Sequence, residues 1–385
     1  MNDFVFSTVS QIVAALGAAG QLGQHVRQRF PATRRALVVT DPGFLATGLA
    51  TAPVRSLEAA GFSVHTYAGV VADPPEAVVL AAADIARAHA TDVVIGLGGG
   101  SSMDVAKLIA VLAGSDQALP SMYGIGNVQG NRLPLVQVPT TAGTGSEVTN
   151  IAIVTTGATT KMGVVAQQLY ADIALLDATL TVGLPPRVTA ATGIDAMVHA
   201  IEAYTSRHKK NPLSDSLARQ ALQLLSANLL QACRDGQDLA ARQAMLLGAL
   251  LAGQAFSNAP VAAVHALAYP IGGIFHVAHG LSNALVLPHV LRFNAPAAAP
   301  LYAELAEVVV PGVTGCVEAR AQALTVAMEQ FAHAAGIERT LREVGVGEGD
   351  LDRLADDAML QTRLLGNNPR DLTRADAWEI YRAAY

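Results

Sequence analysis

The sequence predicts two domains of different class: an α/β domain with a parallel sheet over residues 1–185, then an all-α domain over 186–385. Three observations predict it. The chain has 385 residues, enough for two or three domains of about 150 each. Up to Leu184, β-branched apolar runs alternate with alanine-rich helical stretches. Beyond Pro185 and Pro186 the strand signals stop, and helical periodicity continues to the end, broken by glycine or proline.

The elements follow in order. Residues 36–40 form an apolar run ending at the turn signal Asp41, Pro42, Gly43, with a helical stretch after it to Ala60. A second strand is expected at 62–67, and Pro74-Pro75 opens a helix reaching Ala90. The third strand, 92–97, runs into Gly98, Gly99 and Gly100, where Ser101 is placed to cap a helix to about Ala113. Further strands are expected at 134–139 and 173–177. Strands alternating with helices imply a parallel sheet covered on both faces. No repeat or low-complexity linker separates the two halves, so closely packed domains with a ligand cleft are expected.

Composition narrows the function classes. Apolar types make up 51% of the chain and charged types 15%, against roughly 25% in ordinary soluble chains, which excludes disorder. A net charge of −6 with no block of like charge argues against nucleic acid as a partner. Cys233 and Cys316 form no Cys-x-x-Cys motif, which fits a reducing compartment. Residues 243–291 contain no Asp, Glu, Lys or Arg, a length sufficient to span a bilayer. The same stretch carries Gln254, Ser257, Asn258, Pro260, Pro270 and four histidines, so it reads as a protein interior, with no membrane partner expected. The N-terminus has an acidic start and no basic region before its apolar residues, so a cytoplasmic protein is expected.

Two loops suit a phosphate-bearing ligand. The cluster Gly98, Gly99, Gly100, Ser101 follows a strand and precedes a helix, where free N–H groups and the helix dipole favour an anion. Ser101 stands where a G-x-G-x-x-G fingerprint needs its last glycine, and no P-loop lysine follows. The second loop, PTTAGTGSE at 139–147, also follows a strand, and two such loops fit a diphosphate. Asp41, at the end of the first strand, is placed either to accept from a ribose diol and repel a 2′-phosphate, or simply to make a turn. Lys161, just after the turn-like 157–160, could reach a ribose or lie in solvent.

Four residues suggest a cation. Asp195 and His199, four apart on a helical stretch, share one face. His265 and His279 are 14 apart, about 21 Å along a straight helix, so they meet only if the chain turns between them. Pro270, Ile271, Gly272 and Gly273 are the expected break. Three nitrogens and one oxygen suit Fe(II) or Zn(II) better than Ca(II) or Mg(II). His276 could share that wall, His289 after Pro288 reads as a helix-start residue, and Arg207, His208, Lys209 and Lys210 read as a solvated loop or a lid over an anionic substrate. Phe256, Ile151 and Leu267 are expected to line an apolar pocket.

The segments GGGSSMD at 98–104, PTTAGTGSEVT at 139–149, GIDAMVH at 193–199 and HG at 279–280 resemble the iron-containing (group III) alcohol dehydrogenase family. The pattern is similar to its lactaldehyde reductase-like branch and covers about 4–294, less distinctly the rest. The resemblance implies a Rossmann-like NAD(P)-binding domain and a helical domain holding Fe(II), or alternatively Zn(II), in a dehydroquinate synthase-like architecture. It implies Asp195, His199, His265 and His279 as metal ligands. It places the pyrophosphate on Gly99, Gly100 and Ser101, with Asp104, Thr140, Thr141, Thr144, Thr149 and Lys161 on the rest of the dinucleotide and Gly98 also among the cofactor-binding residues. Asp41 matches an acidic position that favours NAD over NADP. Two departures stand out. Tyr269 occupies a position where many members carry a second histidine, and a phenol with pKa near 10 is a poorer proton relay than an imidazole near 6.5. Asp73-Pro74 replaces the family's Asn-Pro. The expected activity is hydride transfer between NAD and a short-chain alcohol or aldehyde, in a homodimer or larger homo-oligomer. The alternatives are a semialdehyde or hydroxy-acid reductase, or a hydroxyacid-oxoacid transhydrogenase. Sugar-phosphate cyclases of the dehydroquinate synthase type need basic residues around their substrate, which 243–291 lacks.

Overall fold

The computed structural model describes residues 3–157 and 160–385. The chain divides into two compact units, Thr8–Gly183 and Leu184–Tyr385, the latter joined by residues 3–7. That N-terminal stretch belongs to the helical unit rather than to the α/β one. The Ser7 N–H donates to Asn258 Oδ1 at 2.8 Å, and Asn258 Nδ2 returns a bond to the Ser7 carbonyl at 2.9 Å.

The α/β unit contains strands β1 (Gln11–Ala14), β2 (Arg35–Val39), β3 (Ser63–Tyr67), β4 (Val93–Gly98), β5 (Gly124–Ile125), β6 (Leu135–Pro139), β7 (Ile151–Thr156), β8 (Thr160–Val165) and β9 (Ile173–Leu176). Its helices are α1 (Leu22–Arg29), α2 (Pro42–Ala46), α3 (Thr51–Ala59), α4 (Glu76–Ala88) and α5 (Gly100–Gly114). Six strands form one parallel sheet in the order β1-β9-β6-β4-β2-β3. Strands β4, β6 and β9 are buried along their whole length, as is β2 after Arg35, because a covered parallel sheet has no solvent face.

Several elements depart from expectation. The edge strand β1 has no apolar alternation to betray it, since three of its four residues are exposed. A second sheet, β5-β8-β7, was not anticipated, and in it β7 and β8 pair antiparallel. Ala158 and Thr159, part of the turn expected at 157–160, lie outside the described residues. The helical stretch after Asp41 divides into α2 and α3. Helix α5 is capped by Gly99, in extended backbone, and Ser101 lies inside its first turn, so Ser101 is not the cap.

The helical unit comprises α6 (Pro186–Thr205), α7 (Pro212–Arg234), α8 (Leu239–Asn258), α9 (Ala263–Phe275), α10 (His279–Val309), α11 (Val317–Ala334), α12 (Leu351–Met359), α13 (Thr362–Leu365) and α14 (Arg374–Ala384). Among the described residues α8 is long and apolar enough to cross a bilayer, but 72% of that window is buried inside the protein. Helix α6 is the hub. A Cβ built on Gly193 would lie 2.5 Å from Leu229 Cδ1 and 2.7 Å from Met245 Cε, so the ends of these α7 and α8 side chains fill the space that a larger residue would need. Pro270 does not break the chain: α9 runs through it, and the turn comes at His276, whose φ of 56° is left-handed. His289 lies within α10 rather than at its start.

Candidate metal and cofactor sites

Asp195, His199 and Glu202 recur at intervals of four and three on α6 and therefore share one face. His265 comes from the first turn of α9, and His279 is the first residue of α10. Gly280 is what lets the start of α10 reach α6. A Cβ there would sit 2.4 Å from the Ala191 carbonyl oxygen and 3.2 Å from Asp195 Cβ. The four expected ligands converge, with ligand atoms all within 4.8 Å of one another. Asp195 Oδ1 lies 3.6 Å from His279 Nε2, 3.8 Å from His265 Nε2 and 3.9 Å from His199 Nε2. A tetrahedron with arms of about 2.1 Å has edges of roughly 3.4 Å, so the donor set fits a small divalent cation with slight contraction.

The surroundings prepare these groups. Burial pushes the His199 imidazole down to about 4, leaving it neutral at neutral pH, the form a cation requires. Burial works to raise the Asp195 carboxyl, but the three imidazoles and Asn283 outweigh it and hold it below the usual range. The ring of Phe256 stacks on His199 with centroids 4.3 Å apart, and His199 stacks on His265 at 4.8 Å.

Two residues of the site carried no role in the sequence reading. Glu202 Oε2 accepts from His265 Nδ1 at 2.6 Å, which turns Nε2 toward the cluster, and Oε1 accepts the Val264 N–H at 2.7 Å. Asn283 Nδ2 donates to Asp195 Oδ1 at 2.6 Å and lies 3.2 Å and 3.3 Å from the Nε2 atoms of His265 and His279. A signal for both was present: Glu202 continues the helical spacing of Asp195 and His199, and Asn283 follows His279 by four.

The remaining candidates near this cluster separate by burial. The Tyr269 ring lies 6.0 Å from that of His279. His276 is exposed on the turn between α9 and α10. Leu267 has no exposed surface, and its carbonyl accepts the Tyr381 hydroxyl at 2.6 Å. Two residues of the basic run are paired locally. Arg207 pairs with Asp371 at 2.6 Å, and Lys210 with Asp215 at 2.7 Å, its ammonium lying 3.6 Å from the Tyr204 ring centroid.

In the α/β unit the sheet order brings the loop candidates together. Strand order reverses between β2 and β4, the kind of switch point where open α/β sheets bind ligands beyond the carboxyl ends of their strands. Asp41 follows β2, the glycines follow β4, and the threonine loop follows β6, which pairs with β4. The positions a Cβ would take on Gly98, Gly99 and Gly100 lie 3.4 Å from Asp41 Oδ2, 3.6 Å from Thr141 Cγ2 and 2.7 Å from Thr144 Cγ2. Asp41 also caps α2, its Oδ1 accepting the Phe44 N–H at 2.8 Å, so its two oxygens serve a turn and face the glycine loop. The Thr140 N–H donates to the Gly98 carbonyl at 3.0 Å. Lys161 Nζ bonds Asp73 Oδ1 at 2.6 Å with its side chain 5% exposed, so it is not a solvated lysine. Asp104 and Thr149 face inward, and Ile151 opens β7.

A switch-point glycine loop in one unit and a three-histidine, one-aspartate cluster in the other define a metal-site dehydrogenase of the dinucleotide-binding class. The chain belongs to the iron-containing alcohol dehydrogenase family. It matches the family description "Iron-containing alcohol dehydrogenase" over residues 10–178 and "Fe-containing alcohol dehydrogenase family, C-terminal" over 189–385. Long-chain-alcohol dehydrogenase 1 of Geobacillus thermodenitrificans is 42% identical over 385 residues, covering 99% of this chain and 96% of that protein. The solved structure of a 1,3-propanediol oxidoreductase superposes with a TM-score of 0.95 at 33% identity, covering 100% of both chains. A sulfoacetaldehyde reductase from Bifidobacterium kashiwanohense, solved in complex with NAD+, superposes with a TM-score of 0.89 at 26% identity, covering 100% of this chain and 99% of that one.

Proposed function

We propose that the protein is an NAD-dependent, divalent-metal-dependent alcohol dehydrogenase and aldehyde reductase whose substrate is a short, uncharged alcohol or aldehyde. The convergence of Asp195, His199, His265 and His279 carries this reading. These residues would hold Fe(II) or Zn(II), and the loops of Gly98, Gly99, Gly100 and Ser101 and of Thr140, Thr141 and Thr144 would hold NAD. When bound, the cation supplies Lewis-acid polarisation of the reacting oxygen, and the nicotinamide supplies the hydride acceptor.

The chain's own residues set up that chemistry. Glu202 fixes the His265 ring, Asn283 fixes the Asp195 carboxylate, and Phe256 covers one face of His199 and keeps water from it. Tyr269 stands beside His279, and His276 on the exposed turn is the imidazole placed to exchange protons with solvent. Asp41, beside Gly98, favours NAD by opposing a 2′-phosphate. An uncharged substrate is preferred because Arg207 and Lys210 are already paired and 243–291 supplies no cation. A cytoplasmic homo-oligomer is part of this reading; the free cysteines Cys233 and Cys316 suit a reducing compartment.

The deciding experiment is anaerobic reconstitution with Fe(II) or Zn(II), then a panel of alcohols and aldehydes followed by NADH absorbance, alongside His265→Ala. Metal-dependent turnover, lost in His265→Ala with NADH binding kept, supports the reading. Full turnover in a metal-free preparation overturns it. Hydride exchange between two carbonyl substrates without free NAD turnover would instead identify a transhydrogenase.

A further inference from the structure

Lys107 lies on α5 two turns beyond the glycine loop, and its side chain has no exposed surface. Its ammonium donates to the Ile151 carbonyl at 2.7 Å, Ser146 Oγ at 2.8 Å and Thr149 Oγ1 at 3.0 Å. An ammonium has three protons, and all three are used. The Ser146 hydroxyl donates its own proton to Asp104 Oδ1 at 2.6 Å, and Asp104 Oδ2 accepts the Ile153 N–H at 3.0 Å. Asp104 Oδ1 itself lies 3.7 Å from Lys107 Nζ. One buried cation thereby ties residues 146–151 to the helix that begins at Gly100.

The threonine loop is consequently held at both ends. The Thr140 N–H bonds the Gly98 carbonyl at the entry, and the Lys107 ammonium binds the exit. Between those anchors Thr141 and Thr144 stand against Gly99 and Gly100. A charge removed from water is strongly disfavoured unless its partners stay in place. If residues 146–151 moved away, Lys107 would lose all three acceptors together, so the ammonium locks the loop against α5.

We propose that Lys107 is a positioning residue for the dinucleotide, pre-setting the threonine loop against the glycine loop without touching the cofactor. The proposal rests on the cofactor site assigned above. Its consequence is specific: losing Lys107 should weaken cofactor binding, because the loop must then be ordered at the expense of binding energy. It should leave the metal site intact, since Asp195, His199, His265 and His279 all belong to the helical unit.

The test compares full-length, metal-reconstituted wild type with Lys107→Met by NADH fluorescence titration, metal analysis and steady-state kinetics. For Lys107→Met, the NADH dissociation constant and the KM for NAD should rise at least about tenfold, equivalent to roughly 1.4 kcal/mol. The kcat at saturating NAD, the KM for the alcohol and the metal content should stay near wild type. Ser146→Ala removes one acceptor and the Asp104 donor with little change in volume, and should raise the same two constants by less. It serves where Lys107→Met fails to fold. Wild-type NADH affinity in folded Lys107→Met or in Ser146→Ala overturns the proposal, as does a fall in kcat with KM for NAD unmoved. Loss of metal together with cofactor also overturns it. Wild-type protein that binds no NADH would overturn the cofactor reading itself, a result separable from these because it needs no variant.

Discussion

His265 Nδ1 lies 2.6 Å from Glu202 Oε2, and the other oxygen of that carboxylate accepts the Val264 N–H at 2.7 Å. One side chain on α6 therefore both orients an expected metal ligand and satisfies an N–H at the start of α9, where Ala262 offers no side-chain cap. Glu202→Gln keeps the shape but removes the charge that fixes the imidazole tautomer. It should weaken metal affinity by roughly 10- to 100-fold, measured by competition with a chelator. NADH affinity should not change. Unaltered metal affinity would mean that His265 is held by packing alone.

Gly280→Ala should abolish metal binding more completely than Glu202→Gln. The added Cβ would sit 2.4 Å from the Ala191 carbonyl oxygen, so the start of α10 must move away from α6 and carry His279 with it. The loss should appear as a lower metal content and a melting temperature no longer raised by added Zn(II). A variant that still binds metal stoichiometrically would show that α10 can tilt without displacing His279.

Asp41→Gly should increase the ratio of kcat/KM for NADP to that for NAD, because the carboxylate beside Gly98 is removed. The same change deletes the Asp41 cap on the Phe44 N–H. Glycine is tolerated at N-caps, so the stability loss should be only a few tenths of a kcal/mol. A stability loss with an unchanged cofactor ratio would make Asp41 a turn residue and nothing more.

Glu147 is 2% exposed, and burial raises its carboxyl from 4.5 to about 7, against the pull of Lys107. A carboxyl raised on folding contributes stability that is full below its unfolded value and lost as pH climbs through 7. The swing is about 3.5 kcal/mol at roughly 1.4 kcal/mol per unit. Urea unfolding between pH 4.5 and pH 8 should therefore show wild type losing stability relative to Glu147→Gln as pH rises. Parallel pH profiles for the two proteins would show that Glu147 is ionised without cost.

The sequence alone determined the class of each half and the identity of the four convergent groups. Continuous β-branched runs such as 36–40 read as buried parallel strands because both sheet faces are covered, and helical spacing alone put Asp195 and His199 on one face. Short elements escaped for the converse reason. Strand β1 has four mostly exposed residues and exists because it pairs with β9, a contact between residues far apart in the chain. Only the tertiary structure decided where the chain turns between His265 and His279. Pro270 and two glycines look like breakers locally, yet α9 passes through them, and the reversal falls at His276 in left-handed backbone. Glu202, Asn283 and Lys107 were equally hidden, because what each does depends on a partner on another element. A carboxylate, an amide and an ammonium look like ordinary polar residues in sequence; burial beside a specific acceptor or donor gives each its role.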